Sequence, residues 1–257
     1  MINWSSIRQG SPIGRMLRMP LAVVPKRAVF PILAGPNRGF SWCVGAADHG
    51  CWLGSYELEK QRAIWRARQE GATVLDVGAN VGFYTLLLAR AVGATGHVIA
   101  IEPDRRNAAW LRWHMRVNHI QNVQILLGAV AALSGTAMFS PGRTNTTGRL
   151  VSSGAGKPVK AYQLDEIVFG CKLPIPSIVK MDIEGGESAA LSGASRLLSE
   201  ERTTWFVALH SREQADACLA SFRRHDYRLF LPDGAELPVD HEGEVSEIVA
   251  LPGKTSR

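Results

Sequence analysis

Two stretches hold the residues whose types and spacing could do chemistry. In the first, Asp76 stands two positions ahead of the turn Gly78-Ala79-Asn80-Val81-Gly82. In the second, Ile178 to Glu187 reads IVKMDIEGGE and crowds Lys180, Asp182, Glu184 and Glu187 beside two glycines. A strand that feeds a helix through glycines makes a ligand site, because the N–H groups at the helix start are unpaired and a crevice opens at the sheet end. A pyrophosphate-binding turn reads G-x-G-x-x-G with no acid just before it. Here a carboxylate at Asp76 would repel phosphate and favour a ligand bearing an ammonium or sulfonium group. The pattern acid-G-x-N-x-G therefore suits S-adenosylmethionine better than a dinucleotide.

Further residues fall at the same expected sheet edge. Ile101-Glu102-Pro103-Asp104 follows a second apolar run, and Glu102 lies 20 positions beyond Gly82. An acid there is placed to hold both hydroxyls of a ribose, while Asp104 suits a helix N-cap. Gly128-Ala129-Val130-Ala131 offers small residues against which a flat adenine ring can lie. Asp182 and Glu184 share a side if their strand persists, and Asp182 is the first choice to contact a substrate hydroxyl or the donor's amine. Glu187 suits a helix N-terminus. His210 follows the apolar run Trp205–Leu209, and its pKa near neutrality would let it accept a hydroxyl proton; a helix-start histidine explains it equally well. His49 is a weaker candidate for substrate contact. Arg143, Asn145 and Arg149 in RTNTTGR could grip sugar hydroxyls or an anion, although a solvated loop explains them as well.

The elements that must position these groups alternate. Strands are expected at 73–77, 97–101, 123–127, 177–181 and 204–209, with helices at 81–91, 104–118 and 212–223 and helical turns at 187–198. Two last strands, 227–231 and 244–251, have no helix pattern between them and are expected to form a hairpin, leaving one strand antiparallel. The expectation is a doubly wound, mostly parallel α/β sheet of seven strands with helices on both faces. A ribbon or loop spans 134–164. A helix from about Tyr56 to Gln69, preceded by a turn at Cys51–Glu57, forms a lid or docking element. Residues 1–55 form a basic, irregular extension, and 56–257 the ligand-binding domain.

The chain has 257 residues and a formal net charge of +6. The excess is concentrated at the start, where Arg8, Arg15, Arg18, Lys26, Arg27 and Arg38 face only Asp48 in the first 50 residues. Such an arm could meet a nucleic acid, a membrane surface or an anionic substrate. No apolar run approaches the length of a membrane span, and the start lacks a secretory pattern. Cys43, Cys51, Cys171 and Cys218 show no C-x-x-C spacing, so neither zinc nor a disulfide framework is expected, and the cysteines fit a reducing cytoplasm.

These strings resemble the FkbM family of S-adenosylmethionine-dependent O-methyltransferases. VLDVGANVGFYT, the acid in AIEPD, YQLDEI and IVKMDIEGGE carry the similarity, which spans roughly Gly54 to His210 in order. The resemblance implies a class I methyltransferase (Rossmann-like) fold with its last strand reversed. It implies that Asp76, Gly78, Ala79, Asn80 and Gly82 surround the methionine moiety, with Tyr84 and Thr85 alongside, and that Glu102, followed by Pro103, holds the ribose. The acids of MDIEGGE would line the reaction centre, with Lys180, Asp182, Glu184 and His210 as catalytic candidates. One departure stands out: relatives often carry an acid near the end of the fifth strand, where this chain has Val207-Ala208-Leu209-His210. The expected acceptor is a hydroxyl on a small molecule, glycan or glycolipid. Nucleic-acid amino-methyltransferases resemble one another in an N-P-P-[YF] or D-P-P-[YF] string, and Asp182-Ile183-Glu184-Gly185 stands there instead. A nucleic-acid methyltransferase and a non-catalytic donor-binding module are the competing readings, and a dehydrogenase is disfavoured by Asp76. No resident metal is expected, although Asp182 and Glu184 could serve as ligands in a metal-assisted variant. The basic arm could make peripheral membrane contact, and the sequence does not specify an oligomeric state.

Overall fold

The computed structural model describes residues 24–142, 144, 147–151, 156–239, 241 and 243–253. Arg143 and Asn145 lie outside the described residues, as do Arg8, Arg15 and Arg18 of the basic arm.

The described chain opens with β1 (Val29–Pro31) and β2 (Ser41–Cys43), an antiparallel ribbon where irregular structure was expected. Helix α1 (His49–Leu53) replaces part of the expected turn. Asp48 caps it by accepting from the Gly50 N–H at 2.7 Å. Gly54 stops it with φ +79°, and a Cβ there would meet the Ala34 carbonyl oxygen. Helix α2 (Leu58–Arg66) is shorter than expected at both ends. Strand β3 (Thr73–Val77) is buried at all five positions and feeds α3 (Phe83–Val92). Next come β4 (His97–Glu102), α4 (Arg105–Val117) and β5 (Val123–Leu127). As expected, Asp104 caps α4, accepting from the Arg106 N–H at 2.7 Å.

The region read as ribbon or loop is a small sheet of its own. It comprises β6 (Ala129–Val130), β7 (Gly135–Ser140), β8 (Arg149–Val151) and β9 (Lys157–Tyr162), in the order β6-β9-β7-β8. The chain returns to the main sheet with β10 (Ile178–Met181), followed by short α5 (Glu187–Ser192) and α6 (Ser195–Ser199). It then forms β11 (Thr204–Ala208), α7 (Arg212–Arg224), β12 (Tyr227–Phe230) and β13 (Glu247–Pro252).

The seven-stranded sheet runs β12-β13-β11-β10-β3-β4-β5. Strand β13 pairs antiparallel with both β12 and β11, while the other neighbours are parallel. This is the mixed α/β arrangement that the resemblance implies, with the last strand reversed and inserted before the end.

Helix α3 is mostly apolar and is buried at every position except Arg90. Such a helix needs cover on both faces. The sheet covers one face and the β1–β2 ribbon helps to cover the other. Trp42 meets Phe83 edge-on at 5.6 Å and stacks on His114 of α4 at 4.0 Å. His114 is fully buried, contacts the Val81 carbonyl at 2.8 Å and accepts from the Cys43 N–H at 3.3 Å. Burial lowers its pKa to about 4, so it packs as a neutral ring. No described helix is long and apolar enough to cross a membrane.

Candidate active site

Parallel strands of one sheet end at one edge, and a residue's register fixes its neighbours there. Strand β3 lies between β10 and β4, so Asp76 is flanked by Lys180 and Ala100. Asp76 is fully buried, accepts from the Thr85 hydroxyl at 2.6 Å and lies 3.3 Å from the Lys180 ammonium. Lys180 also donates to the Gly78 carbonyl at 2.8 Å. Asp76 and Thr85 are therefore beneath the cavity wall rather than in it. The expectation that Asp76 faces a cationic ligand is corrected: its charge is compensated by Lys180, and other acids face the cavity.

The turn above them is closed by its own hydrogen bonds. The N–H groups of Gly78 and Ala79 both donate to the Ile101 carbonyl at 3.0 Å, and the Asn80 N–H donates to Glu102 at 2.8 Å. Three donors that a phosphate would need are thus committed within the protein. Gly78 is required at φ +75°, because a Cβ would lie 1.9 Å from the Asp182 carbonyl oxygen. This close approach joins the two motifs seen in the sequence.

A cavity of about 870 Å³ lies over the turn and the carboxyl ends of the strands. Gly78, Ala79, Asn80, Glu102, Pro103 and Ala129 line it. Gly82 lies outside the wall, packed so closely to Leu111 of α4 that a Cβ would lie 2.6 Å from that side chain. Glu102 is almost fully buried and accepts from the N–H groups of Asn80 and Asp104, both at 2.8 Å. Burial raises its pKa to about 7, against the pull of those two hydrogen bonds.

The same cavity is lined by Asp182, Glu184 and His210. His210 Nδ1 lies 2.8 Å from Glu187, while Nε2 faces Asp182 at 3.4 Å and Glu184 at 3.7 Å. The Glu187 hydrogen bond raises the His210 pKa against the effect of burial, and the neighbouring carboxylates raise it further. Burial works to raise the Asp182 pKa, but the charges of Lys180, Lys60 and His210 outweigh it and hold the group below its usual range. Burial raises Glu184. Glu187, read in the sequence as a helix start and as one of the clustered MDIEGGE acids, is fully buried and orients the imidazole.

Sequence reasoning missed one group. Glu57 accepts from the Tyr84 hydroxyl and from Lys60, both at 2.7 Å, and Lys60 also pairs with Glu247. The ammonium groups of Lys60 and Lys180 each lie 5.4 Å from the centre of the Tyr84 ring. Burial opposes the Lys60 charge, but Glu57 and Glu247 outweigh it and raise its pKa. Glu57 and Glu247 line the cavity. A local signal existed only for Glu57-x-x-Lys60, since Glu247 comes from the far end of the chain. His49 also lines the cavity, with Nδ1 accepting from the Trp52 indole at 3.0 Å. Arg149 of β8 lies at its rim, exposed.

The wall fits S-adenosylmethionine on two observations. Asn80 Oδ1 is buried without a hydrogen-bond partner among the described residues, and a buried acceptor in that state needs a donor from a ligand or water. The cavity is also rich in carboxylates, which suits a cationic donor.

Residues 76–229 match the family described as the methyltransferase FkbM domain. Among curated proteins, a hexuronic acid methyltransferase of Haloferax volcanii is 25% identical over 143 residues, covering 55% of this chain and 58% of that protein. An arsenite methyltransferase of Halobacterium salinarum is 36% identical over 67 residues, covering 26% of this chain and 17% of that protein. The chain thus spans less than two thirds of either relative. A solved FkbM methyltransferase from Methylobacillus flagellatus superposes with a TM-score of 0.48 at 17% identity, covering 79% of this chain and 55% of that one.

Proposed function

The chain belongs to the FkbM methyltransferase family, whose methyl donor is S-adenosylmethionine, and on that premise we propose that it methylates a hydroxyl of a sugar, glycolipid or secondary metabolite. The observation that carries this reading is a cavity that the glycine turn and Glu102 line together with Asp182, Glu184 and His210. The name of the Haloferax volcanii relative, a hexuronic acid methyltransferase, supports a sugar acceptor.

Bound S-adenosylmethionine supplies a methyl group already activated by a sulfonium, so the protein's task is to align, desolvate and deprotonate the acceptor. Glu102 would hold the ribose hydroxyls, and Asn80 Oδ1 would accept from the donor. Ala129 and Pro103 would border the adenine. Asp182 would accept the hydrogen bond of the acceptor hydroxyl, and the Asp182–His210 pair would take up its proton, with Glu187 fixing the ring. Lys180, near the end of β10, would hold Asp182 charged through its own positive charge and keep Asp76 neutralised beneath the turn. Glu184, His49 and Arg149 would contact the acceptor from the rim. Proton removal contributes a factor of about 10² to 10⁴ in such reactions, less than alignment can supply.

Calorimetry with S-adenosylhomocysteine and with NAD tests the donor assignment. The expected result is stoichiometric binding of the first and no heat with the second; the reverse would end the proposal. Methyl transfer from labelled donor to a panel of neutral glycans, uronate-bearing glycans and hydroxylated metabolites tests the acceptor. Label in an ester or amine product rather than an ether would contradict O-methylation of a hydroxyl.

A further inference from the structure

We propose that Asp182, Glu184 and His210 form a binding site for a divalent cation of the Mg²⁺ or Mn²⁺ kind, which holds the acceptor oxygen. One ligand atom from each of the three residues can be chosen so that all lie within 4.8 Å of one another, and the three border the same cavity as the glycine turn and Glu102. The inference deepens the O-methyltransferase reading and rests on it for the ion's role, though not for the ion's binding.

The geometry departs from an ordinary ion pair. Glu187 is fully buried and engages His210 at Nδ1, so a neutral ring carries its proton there and turns the Nε2 lone pair toward Asp182 and Glu184. Three electron-pair donors then converge, with Nε2 at 3.4 Å and 3.7 Å from the two carboxylates. Adjacent ligands of an octahedral ion with bonds near 2.1 Å stand about 3 Å apart, so side chains spread over as much as 4.8 Å must draw in around the ion as it binds. A carboxylate behind a ligating histidine is the usual outer support of such sites, fixing the tautomer and the ring plane.

Charge points the same way. The nearest ammonium groups are committed: Lys180 to Asp76 and the Gly78 carbonyl, and Lys60 to Glu57 and Glu247. Among the described residues, the Asp182 and Glu184 carboxylates contact no positive or donor side chain except His210. By direct contact, three carboxylates, counting Glu187, share one imidazole, while Lys180 and Lys60 act on Asp182 only through space. Two oxygens and one nitrogen suit a hard to borderline cation. The three side chains are partly exposed and line the cavity, so water and an acceptor oxygen could complete the coordination. A cation there would bind that oxygen directly and raise its acidity; with the ion bound, Asp182 and His210 Nε2 serve as ligands and the acceptor proton passes to cavity water instead of to that pair.

Titration of the whole protein with Mn²⁺, followed by electron paramagnetic resonance, tests the site, and S-adenosylhomocysteine binding is measured in parallel. One bound ion per chain is expected. Glu184→Gln and Asp182→Asn should each weaken it at least tenfold. Glu187→Gln should weaken it by about 10- to 100-fold, as loss of an outer-shell carboxylate does. Glu184 is partly exposed, so its variant keeps the test valid if the Glu187 variant fails to fold. No bound Mn²⁺ at millimolar concentration would overturn the proposal. So would equal Mn²⁺ affinity in the wild type and in both carboxylate variants, which marks an adventitious ion only. If the ion is absent while S-adenosylhomocysteine still binds, the cation site alone falls. If Mn²⁺ binds as expected but S-adenosylhomocysteine does not, the methyl-donor reading falls.

Discussion

Glu102 shows how one buried carboxylate can set the conditions under which a ligand binds. Its pKa is raised to about 7 because burial outweighs its two backbone hydrogen bonds. A ribose diol donates to the ionised form, so donor affinity should rise with pH and level off above about 7. From about pH 5.5 to about 8.5 the gain in affinity for S-adenosylhomocysteine should be on the order of tenfold or more. The sign for folding is opposite. An acid whose pKa is raised in the folded state binds more protons there, so its contribution to stability falls as pH rises from 4.5 toward about 7. Glu102→Gln should lower affinity by roughly tenfold and abolish the pH dependence, as calorimetry across that range would reveal. An unchanged slope in the variant would remove Glu102 from the donor site. Glu102 was legible in the sequence because its spacing from Gly82 is a local consequence of one strand–helix–strand unit. Asp76 was legible as important but not in its direction. A carboxylate's partner across a sheet depends on register, and only the structure sets Lys180 beside it.

At the scale of elements, apolar runs gave the boundaries of β3 and β10 to within a residue, because fully buried parallel strands leave little room for polar residues. Short pieces were less readable. Five residues of α1 are too few to display a helical period, and the cap at Asp48 is what sets its start. The sheet formed by β6 to β9 depends on pairing between Ala129–Val130 and Ala161–Tyr162, which no local pattern announces. The β1–β2 ribbon was read as irregular because its strands are three residues long, yet it carries Trp42 into the space over α3. Trp42 is fully buried between Phe83 and His114. Trp42→Ala should therefore cost about 3–5 kcal/mol in urea unfolding. A loss under about 1 kcal/mol would mean that the ribbon is an appendage rather than part of the core.

For the molecule as a whole, the two hydrophobic clusters lie on opposite faces of one sheet, with alternate residues of β3 and β4 contributing to each. Strands shared in this way couple the faces, so unfolding followed by far-ultraviolet circular dichroism and by tryptophan fluorescence should give one coincident transition. Saturating S-adenosylhomocysteine at about a hundredfold excess over its Kd should add about 2.7 kcal/mol, or roughly 5–10 °C in Tm. Two separate midpoints would show that the faces unfold independently. The placement of β13 between β11 and β12 has a consequence for synthesis. Both partners emerge from the ribosome before the strand that must fill the gap between them. Until residues 247–252 clear the exit tunnel, β11 offers an open apolar edge and β12 has no neighbour in the sheet. The nascent chain therefore passes through a stage in which chaperones, or another half-made copy, compete for the vacancy its own late strand is due to occupy.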